Sequence, residues 1–103
     1  MEFYSFSFGD MRVVQADQAS PKLVAVDVTF AFKVEDTHTV QVVEVRVMIP
    51  HQVDLTSDSM QQAAFERTRA LLQAAAEQCA TKTHTELAAA SEPQLIQAGS
   101  TPG

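Results

Sequence analysis

Between Leu23 and Ile49 the chain reads LVAVDVTFAFKVEDTHTVQVVEVRVMI, two alternating runs separated by the polar break Glu35–His38. Side chains on a strand point to opposite faces with period two, so each run reads as a strand with one apolar face. Strands over about 23–35 and 38–49 then form a long hairpin. Pairing Glu35 with His38 sets Phe32 against Gln41, Phe30 against Val43, Val28 against Val45, Val26 against Val47 and Val24 against Ile49. The same register places Asp27 opposite Arg46 and Thr29 opposite Glu44 on the second face, a favourable cross-strand charge pair beside a polar one.

The opening stretch EFYSFSFGDMRVVQAD also alternates, on both sides of Gly9-Asp10. A Gly-first pair suits a two-residue hairpin turn, which predicts strands over about 2–8 and 11–16. Phe8 then faces Met11, Phe6 faces Val13 and Tyr4 faces Gln15, while Phe3, Ser5, Ser7, Arg12 and Val14 take the other side. Pro21 marks the next connection, and pairing Asp17 with Lys22 sets Val13 against Val26 and Met11 against Val28. Three turns thus predict one continuous apolar face on a four-stranded antiparallel meander.

Pro50 closes the last run, and Ser57 or Ser59 is suited to cap a helix over about 57–80, with Asp58 complementing the dipole. Met60, Ala64, Phe65, Thr68, Leu71, Leu72, Ala75 and Cys79 share a wide stripe at helical spacing. The predicted fold is α+β: the meander, one face covered by a single long amphipathic helix, making a domain over 1–80. Residues 81–103 follow as a short helix or flexible tail. Four strands span roughly 20 Å across, and a helix covers only about 10–12 Å. A further layer is therefore required over the aromatic positions, either a second helix from Leu87 to Ile96 or a second copy of the chain. Pro93 and the scarcity of large apolar residues near it favour the second copy, which predicts a homodimer.

Composition narrows the function more than it identifies it. With 103 residues, 46% hydrophobic and 19% charged, the chain can build one modest core. The net charge of −6 opposes a phosphate-binding grip, and Arg67 and Arg69 are the nearest approach to a basic cluster. No nucleic-acid partner is expected. A single cysteine, Cys79, excludes an intrachain disulfide and favours a reducing, cytoplasmic setting. Neither a signal-like N-terminal segment nor an apolar run of about 20 residues is present, so no membrane association is expected.

Chemistry-bearing residues are few. His38 beside Glu35 and Asp36, and His51 near Asp54 and Asp58, are the only groups resembling loose metal or acid-base sets, and each has a sufficient role in a turn or a helix start. His84 stands alone. Cys79, near a helix C-terminus, lacks the neighbouring cation or helix N-terminus that activates a thiol, and reads as core. Phosphate loops, nucleophile elbows and paired-carboxylate motifs are missing, so neither catalytic activity nor a cofactor is expected.

The second face of the hairpin mixes Ala25, Ala31, Val40, Val42 and Met48 with Asp27, Lys33, Glu44 and Arg46. That mixture matches protein interfaces, whose polarity is close to that of ordinary surface. Val40, Val42, Glu44, Arg46 and Met48 are accordingly the expected partner-binding residues. The expected function is an accessory factor, adaptor or inhibitor of the kind found in bacterial or phage genomes, acting through a protein partner. The sheet-plus-helix plan also resembles, in outline, that of the SecB-type export chaperones, which implies a holdase as an alternative. A small-molecule or enzymatic pocket between the helix and FYSFSF is another.

Overall fold

The computed structural model describes residues 1–54 and 56–91 of the chain. The described elements are β1 (Glu2–Val14), β2 (Leu23–Val34), β3 (Thr39–Pro50), α1 (Ser57–Thr81) and α2 (His84–Ala90). The strands form one antiparallel sheet in the order β1-β2-β3, so the fold is α+β. The chain divides into two compact units, Met1–Leu71 and the segment from Leu72 onward.

In the first unit, β2 and β3 pair without interruption from Leu23 with Pro50 to Val34 with Thr39, the register read from the sequence at every pair. The four-residue turn between them is closed by the His38 N–H, which donates to the Glu35 carbonyl at 3.3 Å. His38 enters the strand at φ 55°, a left-handed conformation uncommon for a residue with a side chain.

The expected fourth strand does not exist. β1 runs straight through Gly9-Asp10, and these two residues together oppose Asp27, because Phe8 pairs with Val28 and Met11 with Val26. The stretch is a β-bulge, one extra residue inserted against a continuous partner. Gly9 is needed there for close approach, since a Cβ at its position would lie 3.2 Å from the Asp27 Cβ. Pairing with β2 over its whole length satisfies more backbone groups than folding β1 back on itself, and so the bulge prevails over the turn.

A second shift lies between Phe3 and Ser5, leaving Tyr4 as the extra residue. It reverses two assignments. Phe3 joins the helix-side face, its ring edge-on to Phe32 at 6.1 Å, while Tyr4 turns to the opposite face, where the Lys33 ammonium lies 5.3 Å from its ring centroid. The β1–β2 register also differs by two residues from the expected one: Val13 pairs with Val24 rather than Val26. Its cause is the connection, where the Asp17 carboxylate accepts the backbone N–H groups of Ala19 and Ser20 at 2.9 Å each and makes the turn before Pro21 is reached. A shift of two preserves which face each side chain occupies.

The core of this unit is Val24, Val26, Val28, Val47, Ile49 and Ala64, with Phe6, Phe8, Met11, Phe30, Val45, Met60 and Ala63 packed around it. The helix starts at neither expected serine cap. Thr56 Oγ1 accepts the Ser59 N–H at 3.1 Å, and the Thr56 carbonyl accepts from Met60. Thr68, fully buried, donates its hydroxyl to the Ala64 carbonyl at 2.8 Å, so its burial leaves no polar group unpaired.

The expected stripe does not continue along α1. Leu71 is exposed, Leu72 half-buried, and every side chain from Gln73 to Thr81 is exposed, Cys79 included, so the core role read for Cys79 is not realised. Alanines fill most of the apolar positions beyond Leu72, and alanine buries little area while favouring helix intrinsically. This part of the helix is held by propensity, not by a core.

In the second unit a short second helix, α2, follows the long one. Thr83 Oγ1 accepts the Glu86 N–H at 3.2 Å and the Glu86 carboxylate accepts the Thr83 N–H at 2.8 Å, a reciprocal cap that starts α2. Most of the second helix considered over Leu87–Ile96, together with the tail beyond it, lies outside the described residues.

Candidate interaction surface

Alternation along the three strands gives the sheet a face without a helix from its own unit. β2 places Ala25, Asp27, Thr29, Ala31 and Lys33 there, and β3 places Val40, Val42, Glu44, Arg46 and Met48 beside them. All five expected partner-binding residues therefore share one face of one strand. Three are apolar and exposed: Val42 at 56%, Val40 at 47% and Met48 at 41%. Ala25 and Ala31 are buried on the same face because they are small and flanked by longer side chains on both neighbouring strands.

At its centre sits a charge array. Arg46 Nε donates to Asp27 Oδ1 at 2.9 Å, and the Arg12 guanidinium approaches Asp27 Oδ2 at 3.9 Å from the other strand. The hydrogen bond from Arg46 holds the Asp27 carboxyl below its usual range, against the opposing effect of partial desolvation, with the charges of Arg46 and Arg12 adding to it. Reciprocally, Arg46 is held more firmly protonated. Glu44, opposite Thr29, joins no ion pair among the described residues.

Position within the sheet is as the expected meander order gives it, at an edge. β3 is an edge strand, and β1 is the other edge. The face residues Val40 to Met48 thus border a run of backbone groups with no neighbouring strand among the described residues, the Met48 carbonyl accepting from the Arg67 guanidinium at 3.5 Å.

Elsewhere the chemistry is sparse. Among the described residues no three of His, Cys, Asp and Glu come together as a metal site. His38 occupies the hairpin turn, while His51 and His84 are exposed at element ends. A shallow depression of about 520 Å³ lies between β1 and the start of α1, lined by Phe6, Phe8, Phe65, Asp58 and Gln62 among others. No helix among the described residues is long and apolar enough to cross a membrane. The sequence matches no known family model and no curated protein, and the fold matches no solved structure.

Proposed function

We propose that this protein acts without catalysis, as a small cytoplasmic homodimeric interaction module that binds a protein partner through the strand β3 and the face it presents. The observation that carries this reading is the grouping of Val40, Val42 and Met48, all exposed, around Glu44 and Arg46 on an edge strand. Apolar side chains on both sides of a charged pair supply area for burial, and the charges supply orientation. Among the described residues no three of His, Cys, Asp and Glu come together.

The test is Val42→Glu, at an exposed position where a charge leaves the core untouched. Native circular dichroism with weakened association, either with itself or with a protein captured from the host lysate, is the expected result. Unchanged association with native dichroism removes this face from the account.

A second reading rests on the depression beside Phe6, Phe8 and Phe65, where three aromatic rings meet polar groups of the first turns of α1. A small aromatic ligand bound there would raise the melting temperature saturably, and a panel of such compounds distinguishes the two readings. Suppression of aggregation of an unrelated unfolded protein would instead favour the holdase.

A further inference from the structure

The two edges of the sheet are not equivalent. β1 carries two bulges within 13 residues, whereas β3 pairs in regular register along all 12 of its residues and carries none. Bulges are a common device for blunting a free edge, so a long regular edge beside a bulged one marks where another strand can add. Four exposed large apolar residues lie on β3: Val40, Val42 and Met48 on the open face and Val43 on the helix side. Charges on its edge are the remaining protection: β3 has two of its own, Glu44 and Arg46, of opposite sign, and the Arg67 guanidinium of α1 reaches the Met48 carbonyl at 3.5 Å, a contact that the added strand replaces.

We propose that β3 pairs antiparallel with β3 of a second copy, about a twofold axis passing through Val45 perpendicular to the sheet, giving one continuous six-stranded sheet. This deepens the reading of β3 as an interaction strand and rests on it. Such an axis preserves the two faces, so a residue on the open face must meet another on the open face, and the axis must pass through a residue rather than between two. Among the central positions only Val45 sets opposite charges together. An axis at Glu44 or Arg46 opposes like charges, and one at Val43 or Val47 sets both charges against apolar side chains.

With the axis at Val45, Glu44 faces Arg46 of the second copy and Arg46 faces its Glu44, so the ion pair forms twice. Val42 lies against Met48 of the second copy and Val43 against its Val47, which covers apolar area on both faces. Glu44, without an ion-pair partner among the described residues, gains one. Arg46, already held by Asp27, then links Asp27 of its own chain to Glu44 of the other. The arrangement is isologous: the same patch on both copies, complementary to itself.

The experiment measures mass by sedimentation at micromolar concentration for the wild type, Glu44→Arg, Arg46→Glu and an equimolar mixture of the two variants. The wild type is expected as a dimer. Each variant alone opposes like charges at two symmetric places and is expected to dimerise roughly tenfold more weakly or worse. In the mixture, arginine introduced at 44 meets glutamate introduced at 46, while the native Arg46 and Glu44 meet as before, so the dimer mass should return. Glu44→Arg leaves the Arg46–Asp27 bond in place, which guards against an unfolded variant.

As an independent measure, Val45→Cys in a Cys79→Ser background is expected to cross-link to itself on mild oxidation, because the axis sets position 45 against its own copy. A dimer that keeps its affinity in Glu44→Arg and gives no Val45→Cys cross-link overturns the pairing while leaving β3 open as a surface for another partner. A wild type that stays monomeric across the concentration range overturns it outright, and loss of capture in Val42→Glu then still tests the broader reading.

Discussion

β1 and β3 border the same central strand and differ in length by one residue, yet they are finished differently. β1 holds an extra residue at Tyr4 and another at Gly9-Asp10, which re-aim Phe3 and Tyr4 and interrupt the regular edge. β3 repeats its alternation from Thr39 to Pro50 without a break. The difference shows in a single row of the helix-side face: Val13, Val24 and Ile49 are paired across the sheet, but Ile49 is 2% exposed and Val13 54%. In this row the core is built toward β3, whereas in the row of Phe6, Phe30 and Val43 the β1 residue is half-buried and Val43 is 41% exposed. Pairing strength alone does not decide what an edge does; regularity and side-chain charge determine whether another strand can join it.

The largest effect expected from this asymmetry is in the row of Val13, Val24 and Ile49. Ile49→Ala should destabilise the fold by about 2–4 kcal/mol, since it empties a buried site, whereas Val13→Ala should stay within about 0.5 kcal/mol, as exposed substitutions do. Denaturant titration of both, at a concentration where the oligomeric state is held fixed, measures the contrast. Similar losses at the two positions would remove it.

Next in size is the bulge. Gly9→Val places a branched side chain where even a Cβ lies 3.2 Å from the Asp27 Cβ, and a loss of about 1–3 kcal/mol follows from the forced shift. The comparison substitution on the other edge, Gln41→Val, is expected to change thermal stability little, because Gln41 is exposed.

The smallest effect is electrostatic. Asp27 titrates below its ordinary range because Arg46 hydrogen-bonds it, so its contribution to stability is fully present above the unfolded value of about 3.9 and is lost as pH falls through the lower folded value. Arg46→Leu should remove most of this acid dependence of the melting temperature. Arg12→Leu, at 3.9 Å rather than 2.9 Å, should remove less. Because both ends of the pair are partly exposed, the change will shrink with added salt.

Legibility in the sequence followed the same asymmetry. The β2–β3 register could be read pair by pair because its alternation is unbroken and one short turn fixes it. In β1 the alternation was equally visible, but Gly9-Asp10 suits a tight turn and a bulge alike, and only the presence of a long unpaired flank on β2 decides between them. Pro21 and Asp17 both suit the connection, and the Asp17 carboxylate, which accepts two backbone N–H groups, sets the turn. Along α1 the apolar spacing continued past Leu72 although the residues had become too small to bury much. The Thr83–Glu86 spacing of a reciprocal cap is present in THTE, although threonine itself favours helix little. For the candidate surface, the side chains Val40 to Met48 were legible from composition. That they lie on an edge follows from the expected meander order as well; that the opposite edge is bulged does not, because Gly9-Asp10 reads there as a turn.

The most direct test of the central claim is amide hydrogen exchange along both edges over a dilution series. Pairing of β3 with a second copy predicts that amides between Val40 and Met48 are protected at high concentration and exchange faster on dilution, while those of β1 between Glu2 and Val14 do not respond. Edge amides of β3 that exchange at the same rate at every concentration, or a concentration-dependent protection that falls on β1 instead, would contradict it.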